Sequence, residues 1–322
     1  MGILKIHTVL KANGNGISTF TIPAQVFTLS EDHLQFSWPQ LHGTLFFRHD
    51  FATIQTEIVI PEIQIKREPQ HIIISDLILK ANLHQDIAEL MLGKVQLSST
   101  QLKWQGHPQF SGQLDNIVLS ADTQAVDETY LKMILRSQLK TALFNETVYG
   151  PGQCHFELEH LHAPTLSQIK KRLTDSRHQG LSPEQMNVVM LGVLMQYGPT
   201  LLNQAPELAI NPLKLQTPNG NVHGQMALKL NQFKIEYLLN PWALGEAIHA
   251  DLALSIPQAL VQQLIQNGNT TYPSGLQSVF KKLLNQDILV TRSSQEYVTQ
   301  IQLRQGMLKV NDHPLPLGVF WQ

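Results

Sequence analysis

Apolar and polar residues alternate through much of the first half of the chain, and the alternation changes phase part-way along one segment after another. Ile58 and Ile60 alternate up to Pro61-Glu62, and Ile63 and Ile65 then continue in the opposite phase. Ile72 and Ile74 are followed by Ser75-Asp76, beyond which Leu77, Leu79, Ala81 and Leu83 resume out of step. Val95 and Leu97 give way to Leu102 and Trp104, and Phe110, Gly112 and Leu114 to Ile117 and Leu119. Cys154, Phe156 and Leu158 give way to Leu161, and late in the chain Val298 gives way to Ile301 and Leu303. A strand has a side-chain period of two, so a slip of one residue turns its apolar set to the opposite face. A β-bulge absorbs such a slip and bends the strand. The pattern predicts long, bulged strands in a strongly curved, mostly antiparallel sheet. The competing reading breaks each segment into two short strands joined by a loop.

Helical periods interrupt the alternation. Ser182, Pro183 and Gln185 supply an N-cap, a first-turn proline and the glutamine of a capping box. Met186, Val188, Val189, Met190, Leu191, Val193, Leu194 and Met195 then cover nearly the whole circumference, which predicts a buried helix. It is shorter than the about 20 residues of a bilayer span, and Gly198-Pro199 is expected to end or kink it. Leu213 and Leu215, then Val222, Met226, Leu228 and Leu230, alternate on either side of Thr217-Pro218-Asn219-Gly220, a hairpin signal. Residues 126–144 place Leu131, Ile134, Leu135, Leu139, Ala142 and Leu143 at helical spacing behind Asp127-Glu128, and a helix is expected there. Further helices are predicted from Thr165 through Leu173, from Pro257 to Asn267-Gly268, and from Ser274 through Leu284. Strands are predicted at 248–256, 296–304 and 307–310. No low-complexity linker divides these elements. The expected fold is α+β: residues 1–322 as one elongated domain, with at most a weak division near 145–165, in which the curved sheet is packed around a few helices.

Composition changes this picture only at the surface. Charged residues make up 15% of the chain, against roughly 25% in an average globular protein, so Gln, Asn, Ser, Thr and His must supply much of the polar surface. A net charge of -2 provides no global field toward nucleic acid or an anionic membrane. Cys154 is the lone cysteine, which excludes a disulfide within the chain. Met1-Gly2 leads directly into alternating residues and not into the apolar core of a signal peptide. Ile6 stands where a myristoylation signal needs Ser or Thr.

Candidate chemistry is sparse. The densest cluster of metal-ligating types is Cys154, His155, Glu157, Glu159, His160 and His162, but no CxxC or HExxH spacing occurs. No metal site is nominated; His155, His160 and His162 come nearest to a ligand set, and a solvated polar strand face opposite Cys154, Phe156 and Leu158 is the preferred account of them. Asn13-Gly14-Asn15-Gly16 and Gly150-Pro151-Gly152 match no phosphate-binding fingerprint and read as turns. No GxSxG elbow is present, no catalytic residue is named and no cofactor is implied.

Several segments together resemble the bacterial YdgA family, proteins that share a domain of unknown function (DUF945). They are Phe36–Arg48 (FSWPQLHGTLFFR), Leu90–Leu97 (LMLGKVQL), Gly152–Leu166 (GQCHFELEHLHAPTL), Pro206–Gly224 with its Thr217-Pro218-Asn219-Gly220 turn, and Gly306–Asn311 with Pro314-Leu315. The resemblance implies a periplasmic domain held to the inner membrane by an N-terminal anchor that this sequence does not carry. It supplies no catalytic residues. The expectation is a non-enzymatic envelope protein that acts as a scaffold or binds a protein or an apolar or lipid ligand, with self-association left open. Met186, Val189, Met190, Val193 and Leu194 are the candidate groove residues. The alternative is a hydrolase built from the surplus histidines.

Overall fold

The computed structural model describes residues 4–29, 34–106, 111–144, 146–231, 233, 245–267, 274–293 and 295–315. Phe110, Trp242, Gly268, Leu317 and Trp321 lie outside them. Five short strands open the chain: β1 (Lys5–Leu10), β2 (Gly16–Ile22), β3 (Gln25–Leu29), β4 (Leu34–Trp38) and β5 (Leu41–Phe47). Five long ones follow, each of 15 or 16 residues: β6 (Thr53–Arg67), β7 (Gln70–Gln85), β8 (Met91–Gln105), β9 (Ser111–Ala125) and β10 (Tyr130–Phe144). After them come β11 (Thr147–Tyr149), β12 (Gly152–His162), β13 (Glu207–Thr217), β14 (Gly220–Leu230) and β15 (Ile248–Pro257). The last are β16 (Val290–Ser293), β17 (Glu296–Arg304), β18 (Met307–Val310) and β19 (His313–Leu315).

Among the described residues all of these join one open, curved sheet of 19 strands, and every pairing is antiparallel. Spatial order follows chain order closely, because most neighbours are joined by hairpins. The main line runs β1, β2, β5, β6, β7, β8, β9, β10, β12, β13, β14, β15, β17, β18, β19. β4, carrying β3, shares one edge of β6 with β5; β11 and β16 likewise share edges of β10 and β17. The expected α+β class with a curved antiparallel sheet holds.

The phase changes turn out to be organised across strands. Pro61, Asp76, Thr100, Asn116 and Lys140 stand at one level on β6 to β10, bracketed by pairs such as Ile60↔Leu77 and Glu62↔Ser75, or Ser99↔Ile117 and Gln101↔Asp115. Register is the same on both sides of this line. No residue is inserted; all five strands kink together. Asp76 and Asn116 take left-handed φ values of 50° and 51°, a conformation Asp and Asn tolerate better than most residues. Thr100 Oγ1 donates to Asp76 Oδ2 at 2.8 Å, and Ser99 Oγ donates to the Ser75 carbonyl at 2.7 Å. Pro61 has no N–H to leave unpaired there. True register shifts occur further on, between β10 and β12, β12 and β13, and β13 and β14. β17 pairs with β15 without interruption: Val298, opposite Ser255, simply belongs to the other face from Ile301, opposite Leu252.

Two expectations fail. Residues 126–144 hold the strand β10 and not a helix. Leu131, Leu135 and Leu139 repeat every four residues, which suits a strand of period two as well as a helix, and the kink at Lys140 moves Ala142 into false helical spacing. The second failure is the buried helix. α1 (Ala163–His178) leads to α2 (Pro183–Leu202), whose capping box forms as expected: Gln185 N donates to Ser182 Oγ and Ser182 N to Gln185 Oε1. α2 runs on through Gly198-Pro199. Yet among its residues Val193 alone is buried, while Val188 is 71% and Met195 72% exposed. α2 packs on α1 and not inside the sheet. An apolar circumference states what a helix needs as surroundings; it does not state that the same chain provides them.

The core is accordingly dispersed to the ends of the sheet. Leu90, Leu92, Leu131 and Ala163 form one cluster beneath α1. Leu230, Phe233 and Ala247 form another, which Leu202 of α2 joins. α3 (Gln258–Asn267) and α4 (Ser274–Asn285) pack Leu260, Val261, Phe280 and Leu284 against Val222, Leu254 and Ile256 of the sheet. Ile288 closes over Leu308 and Val310 beside them.

Candidate functional site

Following the register from strand to strand assembles one face of the sheet. A single row passes through Leu45, Thr56, Ala81, Val95, Ala121, Leu135, Phe156, Ile210, Met226, Leu252, Ile301 and Val310. The next row holds Phe20, Ile58, Leu79, Leu97 and Leu119, and continues through Cys154 and Leu213 to Leu254. Beyond the kink line, Ile63, Ile74, Leu102, Leu114 and Ala142 form a row, and Ile65, Ile72, Trp104 and Phe144 another. The kink therefore keeps apolar residues on the same face along strands too long to stay in phase with a bent surface.

Three glycines flatten this face. Gly16 pairs with Phe47, Gly43 with Phe20 and Gly112 with Trp104, and in each pair the ring lies over the glycine. A β-carbon on Gly112 would stand 2.1 Å from Trp104 Cζ2. Phe144, on the other side of Gly112, meets the Trp104 ring at a centroid distance of 5.3 Å.

Among the described residues little covers this face. Leu119 is 45%, Leu135 37%, Phe144 39% and Leu213 37% exposed, although all lie within the sheet. Among the described residues α3 and α4 cover it over β14 to β18 and reach Tyr149 of β11, and α1 touches its rim at β8 to β12. With strands about 4.8 Å apart, the eight strands from β5 to β13 in this row span roughly 34 Å. A soluble monomer rarely exposes a contiguous apolar patch beyond a few hundred Å².

The opposite face is polar. It holds a recess of about 800 Å³ lined by Ala209 and Ala227 and by Glu157, Glu159, Glu207, Lys229, His249, Asp251 and Arg304. The charges largely answer one another. Lys132 Nζ reaches Glu157 at 3.0 Å and Glu159 at 2.6 Å, Arg304 pairs with Asp251 at 3.2 Å, and Lys229 pairs closely with Glu207. The Glu159 and Glu157 carboxylates raise the Lys132 pKa, and Lys132 in turn holds Glu157 below the usual carboxylate value. At the kink line, burial opposes ionisation of Asp115, but hydrogen bonds from Gln101, Thr141 and Gln113 outweigh it and lower its pKa.

The histidines are strung along this side and its ends. His155 Nε2 lies 3.0 Å from Glu157 Oε1, His160 Nδ1 3.6 Å from Glu207 Oε1, and His162 Nδ1 2.7 Å from the buried Thr165 hydroxyl at the start of α1. His249 Nδ1 contacts Asn231 Nδ2 at 3.1 Å. Among the described residues no three His, Cys, Asp or Glu side chains form a group able to hold a metal ion. Cys154 is half-buried on the apolar face, opposite Leu213.

The family described as "Bacterial protein of unknown function (DUF945)" matches residues 3–318, nearly the whole chain. The chain belongs to DUF945. No curated protein and no solved structure matches it. In this DUF945 chain the candidate groove residues divide between two surroundings. Val193 is buried, Met186 and Val189 are half-buried on the same side of α2, and Met190 and Leu194 are 46% and 57% exposed. The helix that carries them packs on α1. The larger apolar surface, built from residues such as Leu97, Leu119 and Leu135, is marked by no single segment of the sequence. A signal for it exists: the strands carry far more apolar positions than the few helices could cover.

Proposed function

We propose that this DUF945 chain binds the apolar chains of lipids in the bacterial cell envelope, and that it acts by holding and not by chemistry. The observation that carries the reading is the continuous, uncovered apolar face from β5 to β13. Each methylene fully transferred out of water contributes about 0.8 kcal/mol. An open sheet covers one side of a chain, so about half of that is expected, or roughly a twofold gain in affinity per added methylene. A shallow, wide face selects for apolar length and leaves a polar headgroup in water. The envelope setting rests on the likeness to the YdgA group, whose members are expected on the periplasmic side of the inner membrane.

The test is titration of a fluorescent fatty acid into the full chain, with competition by unlabelled acids of increasing length. Saturable uptake is expected, with affinity rising about twofold per methylene. Leu119→Gln with Leu135→Gln should weaken uptake at least tenfold while leaving the circular dichroism spectrum unchanged, because both side chains are exposed at 45% and 37%. No uptake, or uptake indifferent to chain length and to this double substitution, would refute the proposal.

A further inference from the structure

The apolar face changes character where its strands kink. Between β6 and β10, the rows through Leu97 and Val95 on one side of the kink line hold no aromatic residue. Rings stand beyond the line. Trp104 and Phe144 flank Gly112 in one row, and Tyr149 lies opposite Ala142 at the end of the next. Trp104 meets Phe144 at a centroid distance of 5.3 Å, and Phe144 meets Tyr149 at 6.1 Å. Trp104 is half-buried. The ring atoms nearest a β-carbon on Gly112 would stand 2.1, 2.7 and 2.7 Å from it, so the indole turns a face and not an edge to the glycine. Its other face is then directed away from the sheet. Tyr149 packs into the cluster beneath α3 and α4 and walls this platform on one side.

An aromatic platform gains from a second planar ring, stacked offset or edge-to-face, more than from a saturated chain of the same area. A cation over the rings is the other occupant that aromatic faces take. Here neither ring-bearing row carries an acidic residue that would favour a cation. We infer, resting on the lipid-binding reading above, that the ligand is an apolar chain ending in a planar ring. The ring stacks on Trp104 and Phe144, and the chain crosses the kink line to the aliphatic rows at Leu97 and Leu119. At about 3.3 Å per residue, Trp104 and Leu97 are at most roughly 23 Å apart along β8, so the tail is a long one.

Competition with the fluorescent fatty acid on the full chain tests it, using ω-phenylundecanoic and ω-cyclohexylundecanoic acid. The two probes share head and chain and differ only in whether the terminal ring is planar. The phenyl acid should compete about two- to tenfold better, the range that an aromatic pair supplies. Trp104→Leu with Phe144→Leu should erase this preference while uptake of the plain fatty acid persists. Phe144→Leu alone, at a 39% exposed position, should already reduce it. Equal competition by the two acids, or a preference that survives the substitutions, would overturn the inference and leave the lipid-binding reading standing. Stronger competition by dodecyltrimethylammonium than by the phenyl acid would also overturn it, since the rings would then hold a cation. Absence of uptake of any acid would instead refute the lipid-binding reading itself, and this inference with it.

Discussion

Gly112 is held to glycine by its partner's ring and not by its own backbone angles. A methyl group there would enter the Trp104 indole at 2.1 Å, and the ring cannot give way without losing its place against Phe144. Gly112→Ala is expected to cost about 1–3 kcal/mol, read as a lowered urea midpoint with a shifted tryptophan emission. Asp115 makes the complementary case for a polar residue. Three hydrogen-bond donors hold its folded-state pKa below the unfolded value. Its contribution is therefore fully present above the unfolded pKa and is lost as pH falls through the folded one. Asp115→Ala should destabilise by about 1–3 kcal/mol at neutral pH. The gap between the two proteins should close on acidification through the carboxylate range. A gap independent of pH would mean that packing, and not the charge, is what Asp115 supplies.

Elements are legible where one local signal suffices. The hairpin of β13 and β14 is announced by Thr217-Pro218-Asn219-Gly220, and its turn is fastened by Thr217 Oγ1 donating to the Gly220 carbonyl at 2.7 Å. The capping box at Ser182 likewise fixes where α2 begins. β10 reads as a helix because apolar positions of a kinked strand imitate a helical period. α2 reads as buried because its sequence specifies an apolar environment without saying what provides it. The inner seam and the outer side of α2 can be told apart by mutation. Val193→Ala should cost about 1–2 kcal/mol, whereas Leu194→Gln on the outer side should stay within about 0.5 kcal/mol. Gly192, where an added β-carbon would meet nothing within 4 Å, should tolerate alanine and gain up to about 1 kcal/mol. Chemical denaturation of the three variants checks the set; equal losses at Val193 and Leu194 would mean that α2 is buried after all.

At the scale of the molecule, the low charge content and the architecture are two views of one fact. A sheet of 19 strands with one face left apolar has few places for charged residues on that face, and only 15% of the chain is charged. The candidate site is not legible in the sequence because it belongs to no segment. It arises when Leu79, Leu97, Leu119 and Cys154, far apart in the chain, fall into one row through four separate registers. The kink line through Pro61, Asp76, Thr100, Asn116 and Lys140 then carries that face across the bend.

The most direct test of the lipid-binding account is photo-crosslinking of the full chain with a fatty acid that carries a diazirine near its methyl end, followed by peptide mapping. The account predicts adducts on the apolar face, in peptides containing Leu79, Leu97, Leu119 or Leu135, that an unlabelled long-chain acid competes away. Adducts confined to the polar recess around Glu207 and Lys229, or no competed adducts at all, would contradict it.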